Sequence, residues 1–338
     1  LTRPRTGHWV AMALAMAVLA VPPAFLLGAA ILAVAGWPSI PVLVVAALLA
    51  LMGVFLWPRP APLPDRMLRR ADLPATFAML DTISAAMAAP QITALSIEEE
   101  ANAYVGQIRG EVLLGLGALL WQAATPAERH AILAHEIGHL VNGDPRRGGI
   151  IWRARQVVDR WHGPIVPDNG GGGGIAFELV QVPLALALEV LDALLTRLTY
   201  PESQRAEYLA DALAARVAGS GAMVSAMNLL SRAPLLEARF NRLHGPAAPE
   251  GAACVDWVAK ALVDPPEAAA RRIAQEMAAE LHTVDTSHPP TAHRIAFLRA
   301  LDLPPADLPT TDEAAFAAEW TPHLDRIGDR WRRAATVQ

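Results

Sequence analysis

The most pronounced pattern along the chain is a long apolar stretch without charged residues near its start. No Asp, Glu, Lys or Arg occurs between Trp9 and Trp57, whereas a helix needs only about 20 apolar residues to cross a bilayer. The sequence Gly-Trp-Pro-Ser at residues 36–39 interrupts the stretch with turn-forming residues. The pattern therefore predicts a transmembrane hairpin over residues 1–57, with helices at residues 9–35 and 42–57.

Charges around the hairpin predict its orientation. Basic residues flank both ends, and the connecting turn has none: Arg3 and Arg5 precede the apolar stretch, and Arg59, Arg66, Arg69 and Arg70 follow it. The positive-inside rule then places both ends of the hairpin in the cytoplasm. A cleaved signal peptide ending near residues 33–35 is the alternative, but the apolar run is long for one and a second span follows at once. We expect a multi-pass protein of the cell (inner) membrane with a cytoplasmic catalytic domain.

The periodicity changes after residue 57. Residues 58–71 are rich in Pro and Arg and are expected to form a linker, and residues 72–89 have the apolar spacing of a helix. Three short β-branched segments follow and predict strands at residues 92–97, 103–107 and 111–116. The last two are joined by Arg109-Gly110, which is typical of a hairpin turn. This part of the chain should contain a small β-sheet.

The rest of the chain has helical periodicity. Residues 146–161 alternate Arg with apolar residues, which is typical either of a basic helix on an anionic membrane or of a solvated helix packed on the protein. Residues 175–198 are apolar but contain acids, so a buried or interfacial helix is favoured over a further span. Further helices are predicted at residues 204–217, 223–231, 265–281 and 312–333, and residues 285–294 open another that runs to about residue 301.

The predicted fold class is mostly α with a small β-sheet, an α+β domain behind the transmembrane hairpin. We expect the main domain at residues 72–302, and a C-terminal linker and helix at residues 303–338.

Composition excludes several functions. The net charge is −5 with a single lysine, Lys260, which argues against nucleic acid, and a lone Cys254 rules out an intrachain disulfide. The glycine run at residues 170–174 lacks the features of a phosphate loop, so we expect no nucleotide and interpret it as a mobile loop.

One helix carries the principal chemical motif. Thr125 is a good N-cap, Pro126 suits the first turn, and Glu128 completes a capping box. In the helix that starts here, His135 and His139 are four residues apart and so lie on one face, with Glu136 beside them. This His-Glu-x-x-His pattern predicts half a zinc site with a general base next to it. The alternative is a buried helix with two histidines bonded to the protein.

A hydrolytic zinc site needs a third protein ligand and an open position for water. Glu207 and Asp211 lie four apart on one face of the helix predicted at residues 204–217. Glu207 can bind the metal, and Asp211 can accept the N–H of a ligating imidazole, His135 being our candidate. The small Ala210 would let this helix approach the first closely. Two acids at this spacing are weak evidence for a metal site when taken alone. The evidence becomes stronger when they are combined with the His-Glu-x-x-His motif.

Four motifs in this order resemble one known family. They are Asn102-Ala103-Tyr104, the His135–His139 motif followed by Asn142 and Asp144, the segment at residues 205–211, and His288-Pro289-Pro290 followed by Arg294. Over residues 74–301 the chain resembles the HtpX-type membrane zinc metallopeptidases, the gluzincin family that also contains the CAAX prenyl endopeptidases. Such proteins usually carry two further spans between the second and third motifs, where this chain has the glycine run and the acid-bearing apolar segment.

The resemblance implies a gluzincin fold with one Zn²⁺ per chain, held by His135, His139 and Glu207, and with Glu136 as the base. It also implies that His288 and Arg294 lie near the substrate oxyanion. The alternatives are that His288 caps the helix begun by the two prolines and that Arg294 pairs with an acid.

An edge strand near the metal of a metalloprotease can bind the substrate backbone by strand addition. The candidates for that strand are Asn102, Ala103 and Tyr104. The alternative is that this strand only completes the small sheet and binds no substrate. The expected function is that of a membrane-anchored zinc metalloendopeptidase. It would cut unfolded or membrane-associated polypeptides at the cytoplasmic face, in protein quality control. Its partners would be polypeptide substrates and the lipid bilayer.

Two other functions are alternatives to the endopeptidase. The first is a catalytically inactive membrane scaffold that keeps the fold and binds partner proteins. Glu136 favours the enzyme over the scaffold, because a scaffold has no use for an acid beside a metal-bound water. The second is prenyl-protein processing, which would need a large membrane chamber, and two spans are too few to build one.

Overall fold

The computed structural model describes residues 6–59, 64, 66–108, 110–143, 149–163, 165, 175–243, 248–279, 289–309 and 312–337. It contains two compact units. The first consists of Leu1–Ala61 and Arg147–Ser203, and the second of Pro62–Arg146 and Gln204–Gln338. The predicted domain boundaries at residues 57, 71 and 302 stay predictions.

Helices dominate the described residues. In chain order they are α1 Thr6–Ala35, α2 Ile40–Phe55, α3 Pro74–Ala86, α4 Ala118–Ala123, α5 Pro126–Asn142, α6 Gly149–His162, α7 Ile175–Ala218, α8 Ser220–Leu230, α9 Leu236–Phe240, α10 Gly251–Val263, α11 Glu267–Ala279, α12 Thr291–Leu301 and α13 Glu313–Val337. The strands β1 Ala94–Glu98, β2 Ala103–Ile108 and β3 Glu111–Gly117 lie between α3 and α4. The predicted fold class, mostly α with a small sheet behind an apolar N-terminal segment, is confirmed.

The N-terminal hairpin is present in part. Among the described residues, α1 is the one helix both long and apolar enough to cross a membrane. The apolar α2 has 16 residues, and at about 1.5 Å per residue it is shorter than a hydrocarbon core of about 30 Å. The two helices pack closely, since a Cβ at Gly53 would lie 2.8 Å from the side chain of Leu26. Large apolar side chains on both helices face outward, as a lipid-facing surface requires.

The helix predicted at residues 146–161 is α6, and its first residues lie outside the described part of the chain. It buries Ile151, Ala154, Val157 and Val158 against α1 and leaves Trp152 exposed. This supports the interpretation of a helix packed on the protein. The glycine run at residues 170–174 lies outside the described residues.

The two separate helices predicted at residues 175–198 and 204–217 form one helix, α7, of 44 residues. The predicted break was wrong even though Pro201 lies within the helix. Proline disfavours a helix interior, but burial of α7 residues on both sides of it, such as Leu195 and Ala210, outweighs that local preference.

The sheet has the strand order β1-β3-β2, so β2 is an edge strand. β1 runs parallel to β3, and β2 pairs with β3 in an antiparallel hairpin with Tyr104 opposite Gly115. The predicted hairpin is therefore confirmed, with Gly110 in its turn and Arg109 outside the described residues.

The core of the second unit brings together α3, the sheet, α4, α5, α8, α10 and α13. Phe77, Phe316 and Trp320 are among its largest fully buried side chains. The sequence analysis missed α10, whose buried residues include Cys254, Val255, Val258 and Leu262. Their spacing is that of a helix face, so the signal was present in the pattern.

Candidate metal centre

The helix α5 begins and ends as its sequence predicts. Thr125 accepts a hydrogen bond from the Glu128 backbone N–H, and the Glu128 carboxylate accepts one from the Thr125 N–H over 2.8 Å, so the predicted capping box is confirmed. Glu128 is buried and also accepts from the hydroxyl of Ser225 in α8. At the other end Gly143 has a φ of 72°, which glycine adopts without strain. Both ends of the motif helix are therefore held firmly.

Three donor groups converge where α5 meets α7. The Nε2 atoms of His135 and His139 lie 3.3 Å apart. Glu207 of α7 places Oε2 at 3.5 Å from His135 Nε2 and Oε1 at 3.7 Å from His139 Nε2. The structure thus brings the three predicted ligands together, and among the described residues they form a group able to hold a metal ion.

These separations fit a zinc ion. Atoms bound tetrahedrally at about 2.0–2.1 Å from zinc lie about 3.3–3.5 Å from one another. The observed 3.3, 3.5 and 3.7 Å are close to these values. Two imidazole nitrogens and one carboxylate are also the donor set of many hydrolytic zinc sites. Three protein donors leave a fourth position, so the residues fit a catalytic rather than a closed structural site.

Close packing of two helices makes this convergence possible. A Cβ at Gly138 of α5 would lie 3.0 Å from the Cα of Ala210 in α7, so the backbones nearly touch. The side-chain amide of Asn142 donates to the carbonyl oxygen of Ala206 over 3.3 Å. Ala210 is fully buried. These contacts set the spacing between the two histidines and Glu207.

A buried network supports the donors from behind. Asp211 has no exposed surface, and its Oδ1 lies 3.0 Å from the Nδ1 of His135. Arg294 of α12 donates to both oxygens of Asp211, over 2.6 and 2.8 Å. The same guanidinium lies 3.1 Å from Oε2 of Glu207. One arginine thus contacts two buried carboxylates and offsets part of their charge, and Asp211 can orient the His135 ring.

The pKa values follow from this arrangement. Burial raises the pKa of Asp211, but the hydrogen bonds from Arg294 and His135 outweigh burial and hold it below its usual value. Burial lowers the pKa of His135, but hydrogen bonds with Asp211 and Glu207 outweigh this effect and raise it to about 9. A cation bound at Nε2 would take the place of that proton, because metal ligands bind deprotonated.

The donors open into a cleft of about 650 Å³ within the second unit. Glu136 lies on its wall beside the ligands and is half-buried. Asn102, Ala103 and Tyr104 of the edge strand line another side. The structure therefore places the predicted base and the predicted substrate strand around the same cleft as the three donors.

Tyr104 is held firmly in this wall. Its ring covers Gly115, where a Cβ would lie 2.2 Å from the ring, and its hydroxyl donates to Glu98 over 3.1 Å. Burial, together with the negative charge of Glu98, raises the pKa of Tyr104 to about 12. Tyr104 therefore keeps its proton throughout the neutral range.

Of the two residues predicted near the substrate oxyanion, the structure describes Arg294 but not His288. Arg294 lines the cleft and pairs with Asp211 and Glu207, which is the contact expected from the alternative interpretation. Its predicted place near the substrate oxyanion stays a prediction. His288 lies outside the described residues, and so does Asp144.

Sequence reasoning missed the apolar wall of the cleft. Met223, Ala226 and Met227 of α8 line it, with Leu230 at the end of the same helix. The pattern predicted a helix here but gave it no function, because apolar residues at helical spacing carry no chemical signature of a binding site.

Comparison with known proteins agrees with this geometry. Residues 68–302 match the model of peptidase family M48. Protease HtpX of Pseudomonas entomophila is 31% identical over 140 residues, which cover 39% of this chain and 46% of that protein. Protease HtpX of Pseudomonas putida is 30% identical over the same shares of the two chains. Protease HtpX of Chromohalobacter salexigens is 29% identical over 163 residues, 44% of this chain and 54% of the relative.

The chain spans about half the length of the curated relatives it matches. No solved structure matches it. The family model covers well over half of the chain and includes α5, α7 and α12, which carry the donors and the network behind them. The resemblance to HtpX-type peptidases drawn from the motifs is confirmed, and the chain belongs to peptidase family M48.

Proposed function

We propose that this chain is a membrane-anchored, zinc-dependent endopeptidase. It hydrolyses peptide bonds of unfolded or membrane-associated proteins at the cytoplasmic face of the cell membrane, in protein quality control. The observation that carries the proposal is the convergence of His135, His139 and Glu207 next to Glu136 in a cleft of about 650 Å³. The protease names of the relatives support it.

His135, His139 and Glu207 would hold one Zn²⁺ per chain. When bound, zinc lowers the pKa of a water towards neutrality and polarises a substrate carbonyl. Glu136 accepts the proton of the attacking water and then delivers it to the leaving amine. Its position favours this role, because it follows His135 directly on α5 and lines the same cleft.

Asp211 and Arg294 would prepare the site. Asp211 keeps the His135 ring in the orientation that presents Nε2 to the metal, since it lies against Nδ1 on the opposite side of the ring. Arg294 offsets the charge of Asp211 and Glu207, which are both almost fully buried. The proposal also assigns to Arg294 and His288 the stabilisation of the substrate oxyanion, for which a cation or donor in a water-poor cleft is effective.

The edge strand β2 would bind the substrate backbone. Its partner β3 occupies one side of β2, and among the described residues no strand pairs with the other side, which we assign to strand addition by the substrate. Asn102, Ala103 and Tyr104 lie on the cleft wall and would present this edge to the peptide. The membrane anchor is α1 with α2, and the basic residues that follow α2 favour a cytoplasmic location for the second unit.

The proposal is tested with the full chain purified in detergent. We expect about one zinc per chain and degradation of a loosely folded substrate such as casein. Glu136→Gln should keep the zinc and lower cleavage by about a hundredfold to ten-thousandfold, as expected for loss of a general base. Glu267→Gln is the matched control, because the Glu267 side chain is 81% exposed on α11. That control should cleave like the wild type.

A second variant tests the ligand set. Glu207→Ala should lose both zinc and cleavage, because two histidines alone bind the ion weakly. Full zinc occupancy in Glu207→Ala would remove Glu207 from the ligand set. A zinc-loaded wild type that cleaves nothing would favour the scaffold function over the enzyme.

A further inference from the structure

The C-terminal helix α13 contacts the loop from which the edge strand β2 begins. The indole N–H of Trp331 donates to Oε2 of Glu99 over 2.6 Å. A nitrogen of Arg330 lies 2.9 Å from Oε1 of the same carboxylate. Glu99 is the first residue of the β1–β2 loop, residues 99–102, which leads directly into β2. The helix α13 lies beyond the residues that match the family model, so membership of the family does not account for the contact.

The two contacts differ in strength. The side chains of Arg330 and Glu99 are 63% and 38% exposed, and solvent screens such an ion pair. Trp331 is 8% exposed and packs edge-to-face on Phe240, with ring centres 5.0 Å apart. A fixed indole that donates to a carboxylate makes a short, charge-assisted hydrogen bond. Trp331 is therefore the main anchor of Glu99, and Arg330 adds little.

The remainder of the loop packs closely against the end of β3. A Cβ at Gly117 would lie 1.8 Å from the carbonyl oxygen of Glu100 and 2.7 Å from the nitrogen of Asn102. The Gly117 N–H also donates to the Asn102 carbonyl over 2.7 Å. The Asn102 side chain in turn accepts from the Ala103 N–H. A displacement of Glu99 would therefore pass along the loop to Asn102 and Ala103, which line the cleft.

The other end of α13 is attached to the start of α3 and α5. The Glu319 carboxylate accepts from the backbone N–H of Thr76 in α3 over 2.9 Å. Glu313 pairs over 3.0 Å with Arg129, which belongs to the helix of the metal motif. From Trp320 to Trp331 the helix rises about 16 Å. One helix thus joins the metal helix to the loop of the edge strand.

We propose that Trp331 is a positioning residue for peptide binding. By holding Glu99 it fixes the β1–β2 loop, and it thereby sets where the edge of β2 stands relative to the metal ligands. This inference rests on the proposed function, because it takes β2 as the edge that binds the substrate. Trp331 is not among the residues that line the cleft, and it acts through Glu99.

The test uses the zinc-loaded full chain in detergent and an internally quenched peptide that the wild type cleaves. Trp331→Phe keeps the ring against Phe240 and removes the N–H donor. We expect its KM to rise by about three- to tenfold, which corresponds to the net contribution of one typical hydrogen bond. The kcat should stay within about twofold and the zinc content should stay unchanged. Hydrogen exchange should accelerate at the amides of residues 99–105 and not in α5.

Variants of Glu99 separate this role from a general loss of stability. Glu99→Gln retains an oxygen that can accept from Trp331 and should keep a KM close to that of the wild type. Glu99→Ala should reproduce Trp331→Phe, and it offers a second route if the tryptophan variant fails to fold. The double variant should be no worse than either single one, because both remove the same bond. Arg330→Gln is the matched control on α13 and should leave KM unchanged.

The outcomes are distinguishable. A folded Trp331→Phe or Glu99→Ala with unchanged KM overturns the inference, whether or not exchange in the loop accelerates. Additive effects in the double variant overturn it too. If the zinc-loaded wild type cleaves no peptide, the proposed function fails by itself. Exchange at residues 99–105 then still decides whether Trp331 holds the loop.

Discussion

Two arginine–aspartate pairs with nearly the same geometry occur in the two units of the molecule. In the second unit Arg294 binds Asp211 through two bonds of 2.6 and 2.8 Å. In the first unit Arg155 binds Asp192 through two bonds of 2.7 and 3.0 Å. The exposed fractions of the side chains differ, being 13% and 0% for the first pair and 41% and 39% for the second.

The difference teaches that burial, more than bond geometry, separates a site from an ordinary ion pair. A second ion pair, His162 with Glu189 over 3.1 Å, lines the same surface pocket as the pair in the first unit, but the Glu189 side chain is 60% exposed. In the second unit Asp211 and Glu207 are buried, and both face the same histidine. Burying a charged side chain costs free energy unless the charge is paired, and buried charges cluster at functional sites.

The largest effect is expected from breaking the buried pair. Asp211→Asn removes the charge that Arg294 and His135 face, and it leaves a buried guanidinium with reduced compensation. We expect the free energy of unfolding to fall by about 3–5 kcal/mol. Asp192→Asn is the matched control in the exposed pair and should cost about 0–1 kcal/mol. Chemical denaturation of both variants in detergent measures the difference. Equal losses would show that burial does not set the strength of these pairs.

A smaller effect is expected from the close approach of the two helices that bury this pair. Gly138→Ala would press a methyl group against Ala210, at 3.0 Å from its Cα. Overpacking of this kind costs about 1–3 kcal/mol, and it should also weaken zinc binding, because α7 carries Glu207. Gly221→Ala is the matched control in α8, since a Cβ there meets nothing within 4 Å.

Two measurements check this prediction. Chemical denaturation gives the stability, and competition with a chelator gives the zinc affinity. The Gly221 variant should be neutral or slightly stabilised, because alanine favours a helix over glycine by about 0.5–1 kcal/mol. Unchanged zinc affinity in Gly138→Ala would mean that the spacing of the helices does not control the site.

The same contrast explains what could be predicted from sequence. His135, His139 and Glu136 were found because a local motif on one helix determines their relative positions. The start of α5 was predicted for the same reason, since Thr125 and Glu128 bond to each other. Glu207 needed an argument about chemistry, namely that zinc takes three protein donors. The sequence predicted a small sheet but did not determine the order of its strands. The edge position of β2 was therefore only one of the possible arrangements.

Distant contacts that no chemical requirement of the metal site indicates could not be predicted. Arg294 lies 83 residues from Asp211 in the chain, and no local pattern indicates that they pair. The contact between Trp331 and Glu99 spans 232 residues. The single helix α7 was missed because Pro201 is a local signal for a break, whereas burial of the helix is a property of the whole fold. Burial, which separates the two arginine–aspartate pairs, is likewise absent from local sequence.

A third polar pair, in which Tyr104 is about as exposed as the side chains of the first-unit pair, gives the smallest effect. Tyr104 is 39% exposed and donates to Glu98 over 3.1 Å, and its pKa is raised from 10.0 to about 12. Because its pKa in the folded state lies above that in the unfolded state, the stabilisation is complete below about pH 10 and is lost as the pH rises through about 12.

Phenolate absorbance should show one of the three tyrosines of the chain titrating near pH 12. That transition should vanish in Tyr104→Phe. In Glu98→Gln the pKa should fall only part of the way to 10, since burial, the larger cause, remains. A complete return to 10 would mean that the carboxylate alone raises the pKa, and that partial burial at the cleft wall contributes nothing.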